Sequence, residues 1–405
     1  MPPKPTVQKN NQNNQSKKPD DTEKIEDQTQ DDLKILEEQK SPEKKKPNSK
    51  NPPVKKSTRW LFLVLGAVAI AIIVTGIGYM IWAPKTEQAA DTETNTNQPV
   101  IENPDLPDLM GGDRFDRGHY YPVAIMIDNL APARPQSGLQ AASVVYEALV
   151  EGGITRFMAV FDHGDISQIG PVRSARPYFL SWLAEYDAAY AHAGGSPEAL
   201  GNINKNRVHD INALSKASRA FYRDKTRPAP HNLYTTSNSM YTTTQAMKLK
   251  ISDVDLVSWQ FATSLDALPT AAVDIKKVTL NFSGSSKSSE VSYTYDAVNQ
   301  NFLRNSAGKS HEDRLTKAQI KVKNLIIQTI SNKIIAGEKG RLTMTVTGTG
   351  KAKIFQNGKV FDATWTKTDE NSRTIFTLAD GSQVKFQVGN TWIEVLPEGR
   401  TVVIE

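Results

Sequence analysis

Three short polar runs hold most of the groups in this sequence that could do chemistry. They span residues 128–137, 170–176 and 223–232. Between them they offer carboxylates, guanidinium groups and an imidazole. These are the groups that acid–base catalysis and the binding of phosphate or carboxylate require. Whether the three runs meet in one arginine- and histidine-lined cleft is the observation that would decide most about the site.

The run 170–176 is the most distinctive because it holds two arginines three residues apart at the start of a predicted helix. Arg173 and Arg176 would lie on one face, beside backbone N–H groups that have no intrahelical partner. Guanidinium forks at a helix N-terminus favour an anionic ligand. The alternative is a structural set of ion pairs with Asp128, Glu147 or Glu151, and the sequence leaves both interpretations open.

Two histidines lie in suitable places for catalysis. His192 follows a predicted strand near its C-terminal end, where ligands gather in open α/β sheets. A satisfied core histidine is the alternative. Ser196 could be a nucleophile with His192 or His231 as its base. However, Gly-x-Ser-x-Gly is absent, and Pro197 follows directly, so a helix cap is favoured.

These considerations predict two sets of site residues. The catalytic candidates are His192, His231, Asp128, Glu147 and Asp224. The ligand-binding candidates are Arg134, Arg173, Arg176, Ser196, Arg223, Arg227 and Asn232. The six histidines show neither HxxxH nor HxH spacing, and nucleotide-binding glycine motifs are missing. We therefore expect no metal site and no cofactor.

A run without a charged side chain, from Trp60 to Trp82, predicts a single transmembrane helix that is retained as a signal anchor. As a helix it would be roughly 34 Å long, enough to cross the hydrocarbon core of a bilayer. A tryptophan at each end suits the membrane–water interface. A buried core helix and a cleaved signal peptide are the less favoured alternatives.

Charge on the two flanks of this run predicts its orientation. Residues 1–59 carry 14 basic and 10 acidic side chains, a net charge of +4 within the +5 of the whole chain. By the positive-inside rule the N-terminus is cytoplasmic and the rest of the chain is extracytoplasmic, at the cell envelope. The basic excess suits anionic lipid, so we expect no nucleic-acid partner.

Composition divides the chain into six segments. Residues 1–59 are predicted to be a disordered tail, 60–82 the transmembrane helix and 83–118 a flexible linker. Residues 119–250 alternate strands and helices, which predicts an α/β domain with a mixed sheet and flanking helices. Residues 251–272 form a joint, and 273–405 predict a β-rich domain. Cysteine is absent, so packing must stabilise both domains.

Apolar runs predict the individual elements. Buried strands are expected over 122–127, 144–150, 157–161 and 188–193. A helix is expected from Pro177, with Ser174 as its N-cap. In the second domain, Asn357-Gly358 and Asp380-Gly381 are hairpin turn signals.

Several ordered motifs resemble the YerB-like family of bacterial envelope proteins. They are PVAIMIDN, ARPQSGL, VVYEALVEGGITRFMAVF, IGPVRSARPYF, YAHAGGSPEAL, FYRDKTRPAPHNLYT and, near the C-terminus, GTGKAKIFQNGKV and GNTWIEVLP. The resemblance covers roughly 119–400 and implies display at the outer face of the membrane. It implies no active site, because the family consists of domains of unknown function. Its members are often lipoproteins, whereas this chain has no cysteine to carry an acyl chain.

Two functional hypotheses follow. The first is a non-catalytic envelope protein that binds an anionic cell-wall polymer or an envelope protein through the cleft. The second is a cell-envelope hydrolase or transferase that uses histidine and carboxylate groups as acid and base. Whether the protein is an enzyme stays open at the level of the sequence.

Overall fold

The computed structural model describes residues 119–405, apart from 255–256, 263–267, 285 and 338–339. The predicted tail 1–59, transmembrane helix 60–82 and linker 83–118 therefore lie outside the described residues. Within the described part of the chain, no helix has both the length and the apolar character needed to cross a membrane.

The first half of the chain contributes five strands to the largest sheet. They are β1 (His119–Asp128), β2 (Val144–Leu149), β3 (Thr155–His163), β4 (Ala189–His192) and β5 (Asp210–Asn212). Strand β1 pairs antiparallel with β3 and parallel with β4, so the sheet is mixed. Short strands follow: β6 (Tyr222–Arg223), β7 (Leu233–Tyr234), β8 (Gln260–Ala262) and β9 (Val273–Asp274).

The second half is rich in strands. They are β10 (Lys277–Asn281), β11 (Glu290–Asp296), β12 (Asn301–Ser306), β13 (Lys309–Ser310), β14 (Glu312–Asp313), β15 (Ala318–Gln319), β16 (Lys321–Val322), β17 (Asn324–Ile330), β18 (Asn332–Ile334), β19 (Leu342–Met344), β20 (Gly348–Gln356), β21 (Lys359–Lys367), β22 (Ile375–Thr377), β23 (Lys385–Gln387), β24 (Thr391–Pro397) and β25 (Val402–Ile404).

Three α-helices lie in the described portion of the first half: α1 (Pro177–Ala184), α2 (Pro197–Lys205) and α3 (Ser237–Ala246). Single 3₁₀ turns occur at Ala131–Ala133, Leu139–Ala141, Glu151–Gly153, Lys216–Ala220, Ile251–Asp253 and Lys287–Ser289. The mixed sheet with helices in the first half and the β-rich second half agree with the predicted fold class.

One sheet runs through both halves of the chain. Its order is β22-β21-β20-β17-β24-β2-β3-β1-β4-β5, with β9 paired to β21. At its centre β24, from the C-terminal end of the chain, lies parallel between β17 and β2. A second sheet has the order β13-β12-β11-β10-β25, with β16 on β12. The predicted domain boundaries stay predictions, but backbone hydrogen bonds join the two halves.

Alternate residues of each central strand face two separate cores. On β1, Val123, Ile125 and Ile127 belong to the core that also contains the inner face of the second sheet. Ala124 and Met126 belong to the opposite core, where α1 packs. The period of two thus decides which polar residues are enclosed between the sheets.

Most predicted elements are present. Strands occur where 122–127, 144–150, 157–161 and 188–193 predicted them, and Pro177 begins α1. Asn357-Gly358 forms the two-residue turn between β20 and β21, with φ of 52° and 70°. Asp380-Gly381 also lies in a tight turn, which Leu378 N closes by donating to Ser382 O.

The predicted N-cap of α1 is wrong. Arg176, rather than Ser174, is the N-cap, with extended φ and ψ of −132° and 151° and no capping side chain. Proline disfavours the helical region for the residue before it, so Pro177 forces Arg176 to remain extended. The cap is therefore the residue next to the proline.

Candidate functional site

The three polar runs lie together because backbone hydrogen bonds join their loops. Asp128 N donates to Pro171 O at 2.9 Å, at the end of β1. Ser137 N donates to Gly170 O at 2.9 Å, and Val172 N donates to Leu233 O at 2.7 Å. The loop 170–176 thus lies between the other two runs and holds both of them.

Asp128 is the polar centre of this junction and is 1% exposed. Its Oδ2 accepts from Arg173 Nε at 2.8 Å and from His231 Nδ1 at 2.7 Å. Its Oδ1 accepts from Leu130 N at 3.0 Å. Burial alone would raise the pKa of the Asp128 carboxyl, but Arg173 and His231 lower that pKa well below its ordinary value. Asp128 is therefore a carboxylate at neutral pH.

His231 is oriented by this carboxylate and is 3% exposed. With Nδ1 donating to Asp128, its Nε2 finds no hydrogen-bond partner among the described residues. A carboxylate that fixes one imidazole nitrogen is the arrangement of a positioned general base, but the other nitrogen, Nε2, is buried here. Among the predicted catalytic residues that the structure describes, Asp128 and His231 lie closest to each other.

Arg176, three residues after Arg173 in the same loop, forms a second ion pair. Its Nε donates to Glu151 Oε1, and its Nη1 donates to Ala175 O at 2.7 Å. Burial alone would raise the pKa of Glu151, but the positive charges of Arg176 and Arg156 outweigh this effect and lower the pKa to about 2. Ion pairing of Arg173 and Arg176 is thus the arrangement observed, and direct contact of either arginine with a ligand stays a prediction.

His192 has a different partner from those predicted. Its Nδ1 lies 2.7 Å from Gly194 O, and its Nε2 lies 2.8 Å from Asp210 Oδ1. Gly194 O and Asp210 Oδ1 are both hydrogen-bond acceptors, so each ring nitrogen of His192 has an acceptor within hydrogen-bond distance. The sequence does not identify Asp210 as the partner, because β4 and β5 pair through tertiary contacts.

Ser196 caps α2, as the sequence favoured. Its Oγ accepts from Ala199 N at 3.2 Å, and Pro197 occupies the first helical position. Ala193 N donates to Arg173 O at 3.0 Å, so the β4–α2 loop borders the loop 170–176. The role of Ser196 as a ligand contact stays a prediction.

The loop 223–232 covers this junction. Arg227 donates from Nη1 to Ala133 O at 2.6 Å and from Nη2 to Pro135 O at 2.7 Å. Arg223 Nη1 donates to Asn232 Oδ1 at 2.7 Å.

Asp224, a predicted catalytic acid, is engaged by neighbouring donors. Thr226 Oγ1 donates to its Oδ1 at 2.6 Å, and Arg314 Nη1 donates to its Oδ2 at 2.7 Å. Its bond to Thr226 and, next, its bond to Arg314 lower its pKa below the ordinary value. Asp224 therefore forms an ion pair with Arg314 rather than with His192 or His231.

Arg134 connects the surface to a buried network. Its Nε donates to Asn129 Oδ1 at 2.9 Å, and its Nη2 donates to Asn129 O at 2.9 Å. Asn129 Nδ2 in turn donates to Glu147 Oε1 at 2.9 Å and to Thr155 Oγ1 at 2.8 Å. Glu147, a predicted catalytic acid, is 1% exposed and lies at the edge of that network.

Arg304 is the centre of the buried network and is fully buried between the two sheets. Its Nη2 donates to Glu147 Oε2, and its Nε donates to Tyr293 OH at 3.0 Å. The Tyr293 hydroxyl donates to Glu394 Oε1. The Arg304 guanidinium carbon also lies 5.0 Å from the centre of the Trp392 ring. Sequence reasoning missed this group.

Charge in the network is fixed by these contacts. Burial raises the pKa of Glu394 well above its ordinary value, and the neighbouring Glu147 raises it further, so Glu394 is protonated. Burial opposes the charge on Arg304, but Glu147 raises its pKa above the ordinary value. The network thus pairs the Arg304 guanidinium with Glu147 and favours the neutral form of Glu394.

His311 links the network back to the polar runs. Burial and Arg304 hold its pKa well below the ordinary value, so the ring is neutral. Arg304 Nη1 donates to its Nδ1, which requires the proton on Nε2, and Nε2 then donates to Gln136 Oε1 at 2.7 Å. Gln136 Nε2 donates to Asp128 O at 2.8 Å.

The groups at this junction are of the kinds that acid–base chemistry and anion binding use. Across the described ranges, no group of three or more His, Asp and Glu side chains has the geometry of a metal site. The junction offers one oriented imidazole, buried ion pairs and, at the surface, arginines bonded to neutral acceptors.

Comparisons with known proteins match both halves of the chain. Residues 112–250 match the N-terminal domain of a protein family of unknown function, DUF3048, and residues 278–393 match its C-terminal domain. YerB of Bacillus subtilis (strain 168), which is named as a proposed lipoprotein, is 34% identical over 279 residues. That alignment covers 68% of this chain and 81% of YerB.

A crystal structure of YerB from Bacillus subtilis is also similar. It has a TM-score of 0.61 and 30% identity, and the match covers 70% of this chain and 94% of that one. The resemblance seen in the sequence motifs is therefore confirmed: this chain belongs to the DUF3048, or YerB-like, family of proteins of unknown function.

Proposed function

We propose that this protein is anchored in the membrane by one helix and binds an anionic envelope polymer or an acidic envelope protein on the outer side. The uncharged run 60–82, with lysines on its N-terminal side, supports the anchor and its orientation. The relative YerB is named as a proposed lipoprotein, which supports attachment to a membrane. Because this chain lacks cysteine, the apolar run would supply the attachment that an acyl chain supplies elsewhere.

The proposed binding face consists of Arg134, Arg223, Lys225 and Arg227, which we name the basic surface. Arg223 and Lys225 are exposed, and Arg134 and Arg227 are half-buried. Arg227 donates to the carbonyls of Ala133 and Pro135, on either side of Arg134. The arginines are thus gathered by the same two loops.

The observation that carries the proposal is the kind of acceptor these arginines use. Arg134 donates to Asn129 and, at 3.5 Å, to Ser288 O, and Arg223 donates to an amide oxygen of Asn232. Arg227 donates to backbone carbonyls. In the described structure no carboxylate contacts any of these three guanidinium groups within 4.0 Å.

Neutral acceptors orient a guanidinium group without cancelling its charge. The conformational entropy of the arginine side chains is then already lost before a ligand binds. Their remaining N–H groups can form charge-assisted hydrogen bonds with that ligand. A surface of several such groups favours a ligand with repeated negative charges, because the contacts reinforce one another along the polymer.

Other predicted residues support this surface from below. Asn232 accepts from Arg223 through Oδ1, and its Nδ2 donates to Arg227 O at 3.3 Å, so it ties the loop together. Asp128 pairs with Arg173, and Glu151 pairs with Arg176, and all four residues are buried. In our proposal they position the loops.

Binding to defined polyanions tests the proposal. Full-length protein in detergent micelles is titrated with polyphosphate and, separately, with poly-L-glutamate in a calorimeter at two salt concentrations. We expect saturable binding that weakens with salt. The double variant Arg223→Gln/Arg227→Gln should bind at least about tenfold more weakly, since it removes two charge-assisted contacts.

A charge-matched control distinguishes this surface from general attraction. Lys309→Gln/Lys317→Gln also removes two exposed positive charges, from the second half of the chain. It should bind like the wild type. Equal loss in both double variants, or no binding by the wild type to either polymer, would contradict the proposal.

A second candidate function is a cell-envelope hydrolase or transferase. The observation that favours it is the Asp128–His231 pair, with Nδ1 held at 2.7 Å and Nε2 without a partner in the described structure. A general base contributes typically 10²–10⁴-fold to a rate. Release of soluble fragments from purified cell wall, followed by mass spectrometry, should then fall about 100-fold or more in His231→Gln. No release by the wild type would remove this candidate.

A further inference from the structure

A cavity of about 550 Å³ lies away from the basic surface. Helices α1 and α2 form one side of it, and residues around β19 and the loop at 370–371 form the other. Its volume falls within the range of pockets that hold small ligands, about 300–1,000 Å³. We name it the helix cavity. Neither the predicted site nor the family description assigns it a role.

The floor of the helix cavity is aliphatic and comes from both halves of the chain. Leu183 of α1 and Val208 contribute from the first half, and Leu342, Met344 and Val346 contribute from the second. Leu183 is buried, while the other four are half-buried. An aliphatic side chain of a ligand would cover these partly exposed atoms and be stabilised by the hydrophobic effect.

Polar side chains surround this floor. Glu198, Asn202, Arg207, Glu370 and Asn371 line the cavity. Among the described residues none of their side chains makes a hydrogen bond or an ion pair. Side-chain amides offer both a donor and an acceptor, which matches the N–H and C=O groups of a peptide backbone.

The charge of the lining is negative. Asp187, Glu198 and Glu370 oppose a single arginine, Arg207, which leaves two excess negative charges. The opposite sign from the basic surface means that the two regions select different ligands. Asp187 and Arg207 also have φ of 45° and 54°, a left-handed conformation that is uncommon outside glycine. This backbone strain is frequent where a site imposes geometry.

We infer that the helix cavity binds a short cationic peptide with an aliphatic side chain. The aliphatic residue lies on the floor, the asparagine amides pair with the peptide backbone, and Glu198 and Glu370 pair with its ammonium groups. Charge complementarity argues against an acidic peptide, and the aliphatic floor argues against a wholly polar one.

Calorimetry with three synthetic peptides tests this inference on full-length protein in detergent micelles. The probe is acetyl-Lys-Leu-Lys-amide, and the comparisons are acetyl-Glu-Leu-Glu-amide and acetyl-Lys-Ser-Lys-amide. We expect saturable binding of the first and at least about tenfold weaker binding of each of the others. Equal binding of all three peptides, or none of the first, would overturn the inference without any variant being needed.

Variants then locate the site. Glu198→Gln/Glu370→Gln should weaken binding of the cationic probe about fivefold through the loss of two exposed ion pairs. Met344→Trp should abolish binding by filling the cavity. Glu312→Gln/Glu398→Gln removes two exposed carboxylates elsewhere and should leave binding unchanged. If this control loses as much affinity as the cavity variant, the peptide binds elsewhere and the inference fails.

Discussion

Replacing Arg304 with methionine tests whether the buried network stabilises the junction between the two sheets. Arg304 is fully buried, and Glu147, which it pairs with, is 1% exposed. Removing one partner of a buried ion pair typically costs about 3–5 kcal/mol, because the other charge is left without compensation. In Arg304→Met, Glu147 keeps the hydrogen bonds from Asn129 and Thr155. We therefore expect the lower end, about 3 kcal/mol.

A double-mutant cycle separates this electrostatic loss from lost packing. Arg304 also lies over the rings of Phe157 and Trp392, so its substitution removes cation–π contacts as well. Glu147→Gln removes the orphaned charge while keeping an oxygen for Asn129 and Thr155. The double variant Arg304→Met/Glu147→Gln should therefore recover about 1–3 kcal/mol relative to the sum of the single changes.

Urea unfolding, followed by tryptophan fluorescence, measures these free energies. Trp392, one of six tryptophans in the chain, is buried beside Arg304, so the combined emission includes a signal from this region. The exposed Arg400→Met is the control and should change the free energy of unfolding by less than about 0.5 kcal/mol. A loss below about 1 kcal/mol in Arg304→Met, or strictly additive effects in the cycle, would refute the assigned charge pairing.

Three further predictions concern local contacts. First, the pKa of Glu151 is lowered from 4.5 to about 2, so its ion pair stabilises the fold above pH 4.5 and this contribution is lost as pH falls towards 2. Glu151→Gln should therefore lower the urea midpoint at pH 6, with a difference from wild type that narrows by pH 2.5; a constant difference would contradict this assignment. Second, Ser196→Ala should cost about 1 kcal/mol because α2 loses its cap, whereas the exposed Ser218→Ala should cost less than about 0.5 kcal/mol. Equal urea midpoints for these two variants would show that the cap is unimportant. Third, a Cβ at Gly350 would lie 2.5 Å from Trp365 Nε1, so Gly350→Ala should destabilise by about 1–3 kcal/mol. Gly201, in α2, has nothing within 4 Å of such an atom, and Gly201→Ala should raise the melting temperature through about 0.5–1 kcal/mol of added stability.

Local features of this fold could be predicted from the sequence because their causes are local. The left-handed backbone at Asn357-Gly358 requires just those residue types, and Ser196 before Pro197 suits a helix cap. The uniform apolar character of 122–127 likewise indicates a strand buried on both faces.

Long-range pairing could not be predicted in this way. Nothing in the period of residues 391–397 shows that β24 lies between β2 and β17, because strand order depends on tertiary contacts. The Arg304–Glu147 pair joins residues 157 positions apart. Phe302, Arg304 and Ser306 share one face of β12, so the alternation places Arg304 inwards but does not identify its partner.

The candidate site shows the same division. The sequence indicated the three polar runs as candidate site segments, and backbone hydrogen bonds join the loops that carry them. It did not identify Asp210, Arg314 or His311 as partners, because these belong to elements brought near by the sheet. Residue type indicates which groups could react, whereas the topology decides which groups meet.

Thiol labelling in intact cells tests the outward display of this protein most directly. The chain has no cysteine, so a single introduced cysteine is the only thiol. Val298→Cys, at a side chain that is 91% exposed, should react with a membrane-impermeant maleimide in intact cells. Ser16→Cys, in the N-terminal tail, should react only after the cells are permeabilised. Labelling of the tail but not of residue 298 in intact cells would contradict the proposed orientation and the envelope function that depends on it.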